Sequence, residues 1–171
     1  MIIKSKRFIL RPFRKGDEKS LQRNINDKYI YRYTSRIPYP YTMSDAKKWV
    51  KKCINNDKNN KKTSINFAID INGEIIGGIG FDSIEKHKAE IGYWLGKKYW
   101  NKGIITESVR LITKLGFDKL KLRRITAHVF PKNKASARIL ENNDYRLEGL
   151  LRKHEIKDGK LIDALLYAKV K

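Results

Sequence analysis

The segment YWNKGIIT, residues 99–106, combines residue types that suit the binding of an anion. Lys102 and Gly103 stand directly before a run whose apolar residues recur at helical spacing. The first turn of a helix leaves backbone N–H groups without intrahelical acceptors and carries the positive end of the helix dipole. The segment therefore predicts an anion site at a helix N-terminus. A plain strand-to-helix turn that uses a glycine is the alternative.

The elements in the first third of the chain are predicted to be one strand and two helices. KRFILRPF favours a strand that ends at Pro12, because proline cannot donate to a β-ladder. RKGDEKSLQRNINDKYIYRY has helical character. A second helix, DAKKWVKKCINND, is predicted to be capped by Ser44. Its apolar face consists of Ala46, Trp49, Val50, Cys53 and Ile54.

The rest of the chain alternates between strand and helix patterns. Asn72 and Gly73 join two β-type runs and predict a type I′ hairpin turn. KAEIGYWLG and RRITAHVF indicate strands, and TESVRLITKLGFDKL and NKASARILENN indicate helices. Two final strands are predicted to meet near Asp158 and Gly159. The whole order predicts an α/β layout around a mixed sheet, without repeats or a linker.

The charge of the chain favours anionic partners without identifying one. The 171 residues include 39 Lys and Arg against 18 Asp and Glu, which gives a formal net charge of +21. The lysines are spread over all segments, so we favour a compositional origin of the charge. The longest cluster, DKNNKKTS at residues 57–64, is predicted to be a solvated loop. Weak association with nucleic acid or the ribosome is the alternative.

Length and composition predict one domain, residues 1–171, in the cytoplasm. A hydrophobic content of 40%, with three Trp and nine Tyr, is enough for one core. No apolar run reaches the roughly 20 residues of a membrane span, and the N-terminal residues lack a signal-peptide pattern. Cys53 is the single cysteine, and no Cys/His spacing is typical of a metal site. Neither a disulfide nor a metal is expected.

Three stretches, in this order and spacing, resemble the GCN5-related N-acetyltransferase (GNAT) superfamily, and within it the branch of ribosomal-protein N-terminal acetyltransferases. They are AEIGYWLGKKYWNKGIITES, NKASARILENNDYRLEG and GLLRKHEIKDGKLIDALLYA. The resemblance implies a mixed, mostly antiparallel sheet of about seven strands, with helices on both faces and a splayed pair of central strands. It also implies direct transfer of an acetyl group from acetyl-coenzyme A to a primary amine in a ternary complex, without a metal.

The resemblance further implies which residues bind the coenzyme. Residues 100–105 correspond to the turn that wraps the coenzyme pyrophosphate, where Lys102 adds charge and Thr106 offers a hydroxyl. The family often has smaller residues at the positions of Asn101 and Ile105. Asn tolerates unusual φ/ψ angles and can cap a helix, and Ile105 fits if its side chain faces the core. The implied coenzyme-binding residues are Trp94, Leu95, Asn101, Lys102, Gly103, Ile104, Ile105, Thr106, Asn133 and Ser136.

Catalytic roles are implied by the resemblance for four residues, beginning with two that act on the thioester. The main-chain N–H of Leu95 corresponds to the group that polarises the acetyl oxygen. Ser136 corresponds to the acid that protonates the leaving thiolate. An alternative for Ser136 is a structural place in the first turn of a helix capped by Asn133.

The other two residues are candidate bases. Glu155 matches a glutamate proposed to act through water in the ribosomal-protein branch. Glu90 matches a position that often holds the catalytic water in the wider superfamily. Ion pairing with nearby lysines is the alternative for both carboxylates and is favoured for Glu90. His154 is predicted to be a surface residue on the opposite face of its strand.

The acceptor amine is not identified by the sequence. YRYTSRIPYPYT and the KHEIKDGK turn are predicted to frame its pocket. A protein N-terminus, an amino acid, a polyamine or another small amine remain candidates. The protein itself is expected to be a monomer or a homodimer. Two other functions stay open: a non-catalytic acyl-coenzyme A binder, and a basic RNA- or ribosome-associated protein.

Overall fold

In a computed structural model, which describes residues 1–58 and 63–171, eight strands of the described chain form one mixed sheet. The strands are β1 (Ile3–Lys4), β2 (Ile9–Pro12), β3 (Ile65–Ile71), β4 (Glu74–Glu85), β5 (Lys88–Leu95), β6 (Arg124–Val129), β7 (Arg146–Lys157) and β8 (Lys160–Val170). Their order across the sheet is β1-β2-β3-β4-β5-β6-β8-β7. Only the β5–β6 pair is parallel among the pairs of the described strands.

The predicted mixed, mostly antiparallel sheet is confirmed, and the predicted number of strands is one too low. The sequence pattern missed β1, which is two residues long and pairs with β2. The two predicted hairpin turns are present, with positive φ angles at Asn72, Gly73, Asp158 and Gly159. The centre of the charged cluster DKNNKKTS, residues 59–62, lies outside the described residues.

The helices are α1 (Glu18–Ile25), α2 (Lys28–Arg32), α3 (Met43–Lys58), α4 (Ile104–Asp118) and α5 (Lys134–Glu141). The first predicted helical region is divided, because the Asp27 side chain accepts hydrogen bonds from the N–H groups of Tyr29 and Ile30 and starts a new helix. Within residues 1–58 and 63–171, no helix is both long enough and apolar enough to cross a membrane.

The predicted Ser44 cap of α3 is wrong, because the helix begins one residue before it, at Met43. Thr42 and Asp45 cap this end instead. The Thr42 Oγ1 accepts from the Asp45 N–H at 3.2 Å, and the Asp45 carboxylate accepts from the Thr42 N–H at 2.9 Å. This reciprocal pair is a capping box, in which both side chains satisfy free N–H groups of the first turn.

Two hydrophobic cores lie on opposite faces of the sheet and confirm the predicted placement of helices. One core packs α4 and α5 against the strands, with Ile112, Leu140 and Ile125 fully buried. The other packs α1 and α3, and it contains the predicted apolar face of α3. Strand β5 contributes to both cores, since Leu95 belongs to the first and Trp94 packs against the second.

The centre of the sheet is open between β5 and β6. These parallel strands pair only from Lys88 with Arg124 to Glu90 with Thr126. Beyond that point, β5 continues to Leu95 without pairing to β6. The predicted splayed pair of central strands is therefore confirmed, and it leaves a gap into which backbone groups of β5 point.

Candidate active site

The N–H of Leu95 is directed into the gap between β5 and β6. The adjacent Gly96 N–H donates to the Ile76 carbonyl at 2.8 Å, toward β4. Since backbone groups alternate sides along a strand, the N–H and carbonyl of Leu95 face β6. The Leu95 carbonyl accepts from Nε1 of Trp100 at 2.7 Å. The Leu95 N–H lies on the same side of the strand as this carbonyl and points toward the gap.

The segment after β5 forms the start of α4. Gly103 is the N-terminal cap residue in a left-handed conformation, with φ of +69°. The first intrahelical bond runs from the Glu107 N–H to the Gly103 carbonyl at 3.1 Å, so the N–H groups of residues 104–106 precede the helical ladder. The side chains of Ile104 and Ile105 are buried, so Ile105 meets the condition that its side chain faces the core. Asn101 also has a left-handed backbone, with φ of +57°, a conformation that asparagine tolerates.

Arg7 and Ser5 hold this helix start, and sequence reasoning missed both. The Arg7 guanidinium donates to the Lys102 carbonyl and lies 2.9 Å from the Glu107 carboxylate. Ser5 Oγ donates to the same carboxylate at 2.8 Å. The hydrogen bonds from Arg7 and Ser5 lower the pKa of Glu107. No local pattern links Arg7 to Glu107, because 100 positions separate them.

The hydroxyl of Ser136 is hydrogen-bonded to Tyr93 and takes no part in capping α5. Asn133 Oδ1 accepts from the Ser136 N–H at 3.1 Å, so Asn133 caps α5 as the alternative predicted. The Ser136 Oγ lies 2.8 Å from the Tyr93 hydroxyl, and either group can donate. Burial raises the pKa of Tyr93. Tyr93 was missed as a site residue, although its alternation with Leu95 places both on one face of β5.

Glu90 pairs with a histidine and not with a lysine, which corrects the favoured interpretation. His128 Nδ1 lies 3.1 Å from Glu90 Oε1. Glu90 belongs to the last pair between β5 and β6, and His128 lies two residues beyond that pair on β6. Burial acts to raise the pKa of Glu90, but the hydrogen bond and charge of His128 outweigh burial and lower it. The same hydrogen bond raises the pKa of His128. The pair therefore favours its charged form.

His154 is exposed, as predicted, but its predicted position on the strand face opposite Glu155 is wrong. Pairing between β7 and β8 shifts register between Leu151 and Glu155, and Lys153 has a positive φ of +53°. This bulge lets consecutive residues face the same side. As a result the ring centres of His154 and His128 are 4.7 Å apart. A carboxylate oxygen of Glu155 lies within 4.8 Å of a ring nitrogen of each histidine.

The family of the chain follows from a comparison with models of known domains. The model of the acetyltransferase (GNAT) domain matches residues 7–146. The chain belongs to the GNAT family. This GNAT domain is 30% identical to the uncharacterized N-acetyltransferase p20 of Bacillus licheniformis, over 98% of this chain and 94% of that protein. The predicted family and the predicted acyltransferase class are confirmed.

Solved structures of GNAT proteins share the fold along nearly the whole chain. An acetyltransferase from Bacillus anthracis has a TM-score of 0.85 at 29% identity and covers 99% of this GNAT and 98% of its own chain. RimJ of Mycobacterium smegmatis, in complex with a coenzyme A disulfide, has a TM-score of 0.84 at 25% identity. The match covers 95% of this GNAT and 81% of the RimJ chain. A similarity to the ribosomal-protein branch is thus present in the solved structures.

The two segments predicted to frame an acceptor pocket are in contact in this GNAT. The Lys157 Nζ donates to the Thr34 carbonyl at 3.0 Å and lies 3.3 Å from the centre of the Tyr31 ring. The Tyr31 hydroxyl donates to Asp158 at the tip of the β7–β8 hairpin. The hairpin is therefore fixed against the end of α2 and the segment that follows it, by Lys157, which is on the same face of β7 as Glu155.

Proposed function

We propose that this GNAT binds acetyl-coenzyme A in the gap between β5 and β6 and transfers the acetyl group to a primary amine. One observation carries the proposal: the Leu95 N–H aimed at the gap and the free N–H groups of α4 belong to one continuous stretch of chain. An acyl oxygen and a pyrophosphate need donors at these two places. RimJ, described with a coenzyme A disulfide, has this fold.

The turn before α4 has the space and charge that a pyrophosphate requires. A Cβ placed on Gly103 would meet only the Arg7 guanidinium, at 3.6 Å, so the backbone is open on that side. Lys102 is exposed beside it. The proposed coenzyme contacts are the ten residues implied by the family resemblance: Trp94, Leu95, Asn101, Lys102, Gly103, Ile104, Ile105, Thr106, Asn133 and Ser136.

The proposed reaction is a direct attack of the amine nitrogen on the thioester carbonyl. Acetyl-coenzyme A supplies the activated acyl group, and the C–S bond breaks as the C–N bond forms. Glu155 accepts the amine proton through water, and the Leu95 N–H stabilises the negative charge on the acyl oxygen. The Ser136 hydroxyl, hydrogen-bonded to Tyr93, donates a proton to the leaving thiolate and regains one from solvent, to which Glu155 releases the proton of the amine. No covalent intermediate on the enzyme is needed.

Calorimetry with acetyl-coenzyme A and a thiol-release screen of acceptors test this function. The screen uses free amino acids, polyamines, aminoglycosides and short peptides. The net charge of +21 repels strongly basic peptides, so we expect smaller or less cationic amines to react fastest. Coenzyme binding without turnover on any acceptor would favour the non-catalytic binder. RNA binding with a steep salt dependence, and no coenzyme binding, would favour the RNA-associated protein.

Replacing Ser136 with alanine is expected to lower kcat by about tenfold or more, which is a larger factor than the rise in the coenzyme dissociation constant. The hydroxyl acts on the thiolate in the transition state, whereas the bond that caps α5 uses the Ser136 backbone N–H and survives the substitution. Tyr93→Phe is the matched variant, because it removes the other hydroxyl of the same hydrogen bond. If kcat falls only in the Tyr93 variant, tyrosine is the acid.

A further inference from the structure

Two imidazoles and one carboxylate converge between the splayed strands and the β7–β8 hairpin. His128, His154 and Glu155 each offer one side-chain nitrogen or oxygen, and these atoms lie within 4.8 Å of one another. No sequence motif links them, because His128 is on β6 and the other two are on β7, with β8 between these strands. The bulge at Lys153 turns both β7 residues toward His128.

We propose that His128, His154 and Glu155 bind Zn²⁺ or a similar divalent transition metal. Imidazole nitrogen and carboxylate oxygen are zinc ligands, and three protein ligands leave the fourth tetrahedral position for water or another ligand. Ligand atoms about 2.1 Å from a tetrahedral ion are about 3.4 Å apart, so a movement of at most about 1 Å by each side chain brings the three atoms to that spacing. His154 is exposed, which allows this movement and admits the ion from solvent.

Glu90 provides the outer contact that orients a metal-binding histidine. Its carboxylate accepts from Nδ1 of His128, so Nε2 of that ring is left for the ion. The charges that act on His128 also favour a cation, because they are two carboxylates, Glu90 and Glu155, and one cation, Arg36. Arg36 lies 3.5 Å from a third carboxylate, that of Asp82. Nitrogen ligands select zinc, nickel or copper over magnesium.

A bound ion has a direct consequence for acetyl transfer, which rests on the proposed function. Coordination occupies the carboxylate of Glu155, so that it can no longer accept a proton from the amine. Added Zn²⁺ is therefore expected to inhibit the enzyme reversibly, and a chelator is expected to restore its rate.

Competition with a chromophoric chelator tests the site directly. The full chain, without a polyhistidine tag, is titrated with Zn²⁺ in the absence of coenzyme and acceptor. We expect one equivalent to bind, and His154→Ala to weaken the affinity by about tenfold or more. Glu90→Gln is expected to weaken it by roughly 10-fold, as loss of an outer contact does. Magnesium is expected not to compete.

His87→Ala is the matched control, because His87 is an exposed histidine in the β4–β5 turn and is outside the cluster. Its affinity for Zn²⁺ is expected to equal that of the unchanged protein. The site is refuted if no stoichiometric binding occurs, if the His154 variant binds normally, or if the His87 variant loses affinity equally. The readout needs no acetyl transfer, so an inactive protein that binds Zn²⁺ would refute the proposed function alone.

Discussion

Replacing Glu155 with glutamine is expected to lower kcat at pH 7 by roughly 10²- to 10⁴-fold. An α-amino acceptor has a pKa of about 8, so most of it is protonated at pH 7 and a base has to remove the proton. Glutamine keeps the shape of the side chain and removes the base. As the pH rises above the acceptor pKa, free amine becomes abundant and the deficit is expected to shrink. A pH profile of kcat in the presence of a chelator measures this.

Glu90→Gln is the comparison for this experiment, because Glu90 is a second carboxylate at the splayed strands and is already held by His128 at 3.1 Å. It is expected to cost less than Glu155→Gln at every pH. If Glu90→Gln were the more damaging change, the two roles would be exchanged. If neither mattered, the amine would lose its proton to solvent, and catalysis would come from positioning and from the Leu95 N–H.

Gly103→Val is expected to weaken acetyl-coenzyme A binding by at least about 100-fold, because two lost charge-assisted hydrogen bonds are together worth about 3 kcal/mol. The valine side chain would stand where the pyrophosphate has to approach the backbone. A β-branched residue at a φ of +69° also strains the turn, by roughly 1–3 kcal/mol. That is less than the roughly 5–15 kcal/mol by which domains are stable, so the variant is expected to fold.

Gly73→Val separates strain from the loss of the anion site. Gly73 has a φ of +87°, and a Cβ there would have no atom within 4 Å, whereas at Gly103 it would have ordinary van der Waals contact with the Arg7 guanidinium at 3.6 Å. It lies in the β3–β4 turn and takes no part in the proposed coenzyme contacts. Both variants are expected to unfold at lower temperature than the unchanged protein, but only Gly103→Val is expected to lose coenzyme affinity in calorimetry. Equal affinities for acetyl-coenzyme A in the two variants would show that the coenzyme does not bind at this turn.

Features that depend on neighbouring residues could be predicted from the sequence. The β3–β4 turn follows from Asn72 and Gly73, which tolerate positive φ, and the start of α4 follows from Gly103 and the helical spacing after it. The cap of α3 differs from the predicted one, since Thr42 and not Ser44 caps this helix. A local pattern therefore predicts that an element exists better than where it begins.

Features that depend on distant residues could not be predicted in this way. The contact of Arg7 with Glu107 joins the start of the chain to a helix 100 positions later. The approach of His154 to His128 depends on a bulge at Lys153, where residues 152–154 of β7 stand opposite the single residue Asp163 of β8 and the alternation of side chains is interrupted. Alternation along β7 alone predicts the wrong face for His154.

The contacts that hold the turn before α4 bear on the entropy of the proposed coenzyme binding. The Trp100 indole on the Leu95 carbonyl, Arg7 on the Lys102 carbonyl, and the left-handed backbones of Asn101 and Gly103 shape this turn from protein groups alone. Ordering a residue costs roughly 1–2 kcal/mol, and here that cost falls on folding rather than on binding. Individually modest hydrogen bonds from the α4 N-terminus can then sum to useful affinity for a phosphate.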